Sequence, residues 1–172
     1  RQQAQTLTFA HWGRRVNETG GGGFPGQDKG FHRDLEKMLI LSSSDKSTEE
    51  GVTGKFGLGF KSVLLVSDRP ILVSGRLATE ILAGLCPLPL QDATPFRQKL
   101  SDLAPGERRQ GTLIELPLMD QQPGEITAKF IQLAGVLTIF SKWIRRIDID
   151  GERHRTFEWQ PETLPFAQPA TL

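Results

Sequence analysis

Residues 54–63, GKFGLGFKSV, constrain this chain more than any other stretch. Three glycines lie within six positions, two lysines flank them, and the apolar run Val63 to Val66 follows. Glycines ahead of a helix let the backbone approach a ligand closely and leave free amides pointing outward. The helix dipole adds partial positive charge there. With Lys55 and Lys61 alongside, the loop is built to hold an anion, and a phosphate is the obvious one. Ser42 to Glu50 just before it is polar throughout and could close as a lid. Two familiar phosphate loops do not fit. A Walker A loop needs a glycine five positions before Gly54, where Glu49 stands, and Ser or Thr after Lys55, where Phe56 stands. A dinucleotide loop needs G-x-G-x-x-G directly after a strand, and here the spacing is reversed and a polar loop precedes it. On spacing alone, a helix start after a flexible turn is the plainer reading.

The surrounding pattern predicts alternating strands and helices. "QTLTFAHWG" alternates at Leu7 and Phe9 and turns at Gly13. "FHRDLEKMLIL" aligns Phe31, Leu35, Met38 and Leu39 on one helical face. "LGFKSVLLVS" reads as a short helix, and "ILVSGRLATEIL" as two strands around Gly75. A proline-bearing connection, residues 85–110, holds a helix start at Thr94-Pro95. "GTLIELPL" is a strand. Ile126, Phe130, Leu133, Leu137 and Phe140 mark a helix of about four turns. "RRIDIDGERHRTFEW" reads as a hairpin turning at Asp150-Gly151. One α/β domain is expected over residues 1–160, with a loose, proline-bearing tail over 161–172.

Composition narrows the function classes. Twenty-one basic residues nearly balance twenty acidic ones, so no global charge argues for nucleic acid. The lone cysteine, Cys86, has no internal disulfide partner, and no apolar run reaches the ~20 residues of a membrane span. A cytoplasmic protein with no membrane partner is expected. "KWIRR" at 142–146 reads better as a solvated edge than as a nucleic-acid contact. "HRD" at 32–34 lacks the asparagine of a kinase loop, with Leu39 in its place.

"GVTGKFGLGFKSVLLVSD" resembles the phosphate loop and following helix of the GHKL ATPases. That superfamily includes DNA gyrase, the ninety-kilodalton heat-shock chaperones, histidine kinases and mismatch-repair ATPases. The chain is most similar to the sacsin-like, chaperone-like ATP-binding domains of large bacterial proteins. "LTFAHWGRRV" falls at the family's adenine-binding turn, "FHRDLEKMLILSSSDKST" at the next helix and lid, and "GTLIELPL" at the Gly-Thr strand. "FSKWIRRIDID" falls at the closing helix and strand, so the likeness runs from Leu7 to about Asp150.

The resemblance implies a Bergerat fold: an α+β two-layer sandwich with a mixed sheet and helices on one face. It implies ATP as ligand, with Mg2+ held through the phosphates and by a residue upstream. Carried over by position, Gly57, Leu58, Gly59 and Phe60 offer amides to phosphate, with Lys55 and Lys61 beside them. Gly54 hinges the lid, Lys46 reaches from it, Gly13 admits the base, and Thr112 hydrogen-bonds to it. The family's D-x-G-x-G turn here reads His11-Trp12-Gly13-Arg14-Arg15. His11 replaces the aspartate that accepts from the adenine amino group, and a neutral imidazole keeps one acceptor nitrogen for that bond. Arg15 replaces the second glycine. The catalytic glutamate and magnesium-binding asparagine of the family belong to a helix expected before Arg1, so no catalytic residue is assigned. The expected role is an ATP-binding domain of a larger protein. ATP or ADP closes a lid and drives a conformational change or a nucleotide-dependent homodimer, with hydrolysis a property of the parent. The alternative is a degenerate relative that keeps the fold as an interaction module and binds no nucleotide.

Overall fold

The computed structural model describes residues 5–19, 30–40, 60–106, 111–119, 123–141, 144–151 and 153–160. The chain forms two compact units, residues 1–121 and 122–172, a finer division than the one domain expected over 1–160.

The first unit is built on a five-stranded sheet. Its strands are β1 (Thr6–His11), β2 (Ile71–Ser74), β3 (Leu77–Leu82), β4 (Cys86–Pro89) and β5 (Thr112–Pro117), in the order β1-β5-β2-β3-β4. β2 and β3 pair around Gly75, whose φ of 55° is a conformation that glycine adopts without strain. β4 lies in a segment that its prolines mark as a connection. It is nonetheless an edge strand, and Leu90 N–H donates to Ala78 C=O. That parity turns Pro87 and Pro89 outward, where no ladder bond is needed.

Period-2 alternation divides the residues between the two sheet faces. Leu72 and Ile81 form a core with Leu39, joined by Val16, Leu35, Met38, Phe60, Leu77 and Ile114. Leu39 ends helix α1 (Asp34–Leu39), which follows a 3-10 turn at Phe31–Arg33, and Phe60 opens a second 3-10 segment, Phe60–Leu65. The opposite face carries Thr8, Val73, Leu113 and Glu115. There α2 (Thr94–Asp102) packs against β5, and Lys99 Nζ donates to Thr8 Oγ1 at 2.7 Å and to Glu115 Oε2. The architecture is α+β. Among the described residues it departs from the expected form in two respects: every pairing in this sheet is antiparallel rather than mixed, and helices meet both faces rather than one. Tight turns dictate the first for β2–β3 and β3–β4, while β1–β5 and β2–β5 pair antiparallel across long connections. Leu100, buried beside Lys99 on α2, accompanies the second.

The second unit holds α3 (Pro123–Phe140) and a hairpin of β6 (Arg146–Ile149) and β7 (Arg155–Glu158). Ala134 and Thr138, one turn apart, are the buried residues of α3. A Cβ on Gly135 would lie 3.7 Å from the Phe157 ring, an ordinary contact, so helix and hairpin meet at this point. β6 stops at Ile149 and β7 starts at Arg155, so their connection is longer than two residues. His154 bridges it, with Nδ1 2.6 Å from Asp150 Oδ1. No described helix is long and apolar enough to cross a membrane.

Candidate functional site

Three strand ends converge in the first unit. His11, the last residue of β1, stands directly opposite Thr112, the first of β5. Thr112 in turn stands opposite Ser74, the last of β2. All three share the sheet face that carries Ile114 and Leu72. Two candidates separated by most of the chain, His11 and Thr112, thus become cross-strand neighbours.

The row is held by hydroxyls. Ser74 Oγ and Thr112 Oγ1 are 2.6 Å apart, and each residue is 1% exposed. Val16 N–H donates to Ser74 Oγ at 2.9 Å, tying the chain beyond β1 back to β2. Thr112 therefore has its hydroxyl engaged with Ser74. Ser74 carries no motif, and only the β2–β5 register reveals it.

At the end of β1, Gly13 N–H donates to His11 Nδ1 at 3.3 Å. Desolvation lowers the His11 pKa below the usual imidazole value, which favours the neutral ring. Gly111, which sequence reasoning did not promote to the site, is required sterically. A Cβ there would lie 2.5 Å from the His11 carbonyl oxygen and 3.0 Å from Trp12 Cδ1. Its position just before Thr112 was the available signal. The Trp12 indole N–H is shielded from solvent and has no hydrogen-bond partner.

The turn after His11 is pinned to α1. Asp34 receives the Arg14 guanidinium and the Asn17 N–H, and Asn17 Oδ1 receives Leu35 N–H at 2.9 Å. Arg14 also lies 3.7 Å over the Phe31 ring. Arg15 pairs with Glu18, which raises the pKa of the guanidinium and lowers that of the carboxyl. Its aliphatic stem runs against the Gly75 turn.

Of the phosphate-loop candidates, Phe60 and Lys61 are described. Phe60 packs onto the Leu39–Leu72–Ile81 core. Lys61 Nζ donates to the carbonyl of Ile40, the residue that caps α1. Lys46, Gly54, Lys55, Gly57, Leu58 and Gly59 lie outside the described residues. A groove of about 420 Å³ between α1 and the β3–β4 turn is lined by Asn17, Leu35, Leu39, Leu85 and Pro87, among others. None of the expected site residues lines it. Among the described residues, no three or more His, Cys, Asp or Glu side chains gather to hold a metal.

No family model matches the chain. No curated protein matches it.

Proposed function

We propose that this chain is a nucleotide-binding domain of the GHKL type that takes ATP or ADP, with Mg2+ carried on the phosphates, inside a larger cytoplasmic protein. One observation carries the reading. His11 and Thr112 were assigned to the base from separate motifs, and they are cross-strand partners. Gly13 and Gly111 flank them. On this reading the 54–61 loop takes the phosphates, its last residues anchored by Phe60 in the core and by Lys61 at the end of α1. Lid closure over bound nucleotide then drives a conformational or dimerisation change.

Calorimetric titration with ATP and ADP in the presence of Mg2+ tests it. Nucleotide at a hundred times its dissociation constant adds about 2.7 kcal/mol to stability. Gly57→Val and Gly59→Val remove binding while leaving the circular dichroism spectrum unchanged, since a side chain blocks approach to the amides. Absence of binding by the wild-type protein favours the second reading, a relative that keeps the fold as an interaction module. Two contacts favour that module: Lys61 is bonded to Ile40, and Arg15 to Glu18, so both cations already have partners within the protein.

A further inference from the structure

The hydrogen bond from Gly13 N–H to His11 Nδ1 does more than close a turn. A neutral imidazole has one nitrogen that accepts and one that donates. Nδ1 is the acceptor here, so the proton sits on Nε2. A carboxylate in this place would have two acceptor oxygens, one to close the turn and one left for a ligand. His11 cannot do both. Protonating it does not help, because imidazolium only donates. Desolvation in any case disfavours the charged ring.

The Trp12 indole N–H has no acceptor, and its ring edge lies against Gly111. The two hydroxyls nearby, on Ser74 and Thr112, are bonded to each other.

We infer that His11 meets its ligand as a hydrogen-bond donor through Nε2, and that it selects an acceptor on the base edge rather than an exocyclic amino group. That acceptor is N1 of adenine or the 6-oxo group of hypoxanthine or guanine. The identity of the ligand rests on the proposed nucleotide function, but the direction of the bond does not.

Two measurements decide it. The first needs no ligand. In a long-range proton–nitrogen spectrum of protein labelled with 15N-histidine, the signals lost in His11→Asn belong to His11. Above its pKa they show a protonated Nε2 and a bare Nδ1. A proton on Nδ1 overturns the inference. The second compares the dissociation constants of ATP and ITP, which exchange donor for acceptor at the 6-position and at N1. His11→Asn closes the turn with Oδ1 and still presents an N–H, so it keeps the wild-type preference in the same direction. His11→Asp closes the turn and presents an acceptor, so the preferred nucleotide loses about tenfold against the other, the equivalent of about one hydrogen bond. A wild-type preference for ATP identifies the ring nitrogen, and a preference for ITP the 6-oxo group. A ratio unchanged in His11→Asp overturns the inference even with the expected tautomer. If neither nucleotide binds the wild-type protein, the proposed function fails, and the tautomer alone decides the donor assignment.

Discussion

Ser74→Ala is the substitution that most directly tests how the strand ends are held. Ser74 Oγ accepts from Val16 N–H at 2.9 Å and bonds to Thr112 Oγ1 at 2.6 Å. Ser74 and Thr112 are each 1% exposed, so water does not replace what is lost. Removing the hydroxyl leaves two polar groups without partners. A buried unsatisfied group costs about 1–3 kcal/mol. Val16 is half-buried and so weighs towards the low end, which puts Ser74→Ala at about 2–4 kcal/mol. Thr112→Val keeps the shape and removes one bond, while Val16 N–H keeps its acceptor. Its cost is about 1 kcal/mol. In the double variant Thr112 no longer has an orphaned hydroxyl, so the two losses are not additive, and the coupling is about 1–2 kcal/mol. Urea unfolding followed by circular dichroism measures all three, read as a midpoint change at constant slope. Amide exchange at Val16 adds a local reading, since Ser74→Ala speeds it and Thr112→Val does not. The reasoning is refuted if Ser74→Ala costs under about 0.5 kcal/mol, the level of an ordinary surface change. It is also refuted if Thr112→Val costs as much as Ser74→Ala, or if the two add.

Three further outcomes follow from the same contacts. The lowered His11 pKa means that the unfolded chain takes up a proton at higher pH than the folded one. This contribution to stability is therefore full above about pH 6.5 and is lost as pH falls from there through the folded pKa. Urea midpoints between about pH 5 and 7.5 show that slope in the wild type and its disappearance in His11→Asn. Gly84→Ala costs more than Gly106→Ala: both glycines have positive φ, but only at Gly84 does a Cβ collide, 2.1 Å from Leu64 Cδ1, with nothing within 4 Å of Gly106. Strain alone sets Gly106→Ala at about 1 kcal/mol, and equal thermal shifts for the two would contradict the packing at Leu64. Asp34→Ala frees Arg14 and the Asn17 N–H together and costs about 1–2 kcal/mol, with Asp34→Asn losing less because its side-chain oxygen still accepts. A thermal scan in which both variants match wild type shows that the Asp34 contacts do not hold the turn.

Where the local pattern is strong, sequence and structure agree. β1, β2, β3, β5 and β7 fall within the segments that periodicity marks, α3 covers its marked stretch and begins three residues before Ile126, and Thr94-Pro95 opens α2 as its proline suggests. Disagreement follows a rule. Prolines count against a strand and so mark β4 as a connection, yet alternate prolines cost nothing on the outward side of an edge. The apolar stripe of residues 31–39 predicts a full helix, but only Asp34–Leu39 is α-helical. The turn before it is 3-10, with Gly30 at φ 67° ahead of it. The connection at Asp150-Gly151 is longer than two residues, since the last strand pair is Ile149 with Arg155, and His154 lies against Asp150, a contact invisible to a motif of two residues.

Of the candidate site, residue types at short spacing were legible. The chemistry of a glycine loop, of a histidine before a glycine and of a Gly-Thr strand start depends on a few adjacent residues, and adjacent residues are what a sequence displays. Partnership across the sheet was not legible. Nothing in the sequence says that Ser74 meets Thr112, that Asn17 and Asp34 lock the β1 turn onto α1, or that Lys61 bonds to Ile40. Those contacts depend on strand register and on where short helices come to rest, and both are set by burying Leu39, Leu72 and Ile81 together. The polarity of His11 belongs to the same class. The sequence determines that an imidazole stands there with one nitrogen to accept and one to donate. Only the folded turn, by bringing the Gly13 amide to Nδ1, decides that the outward nitrogen donates.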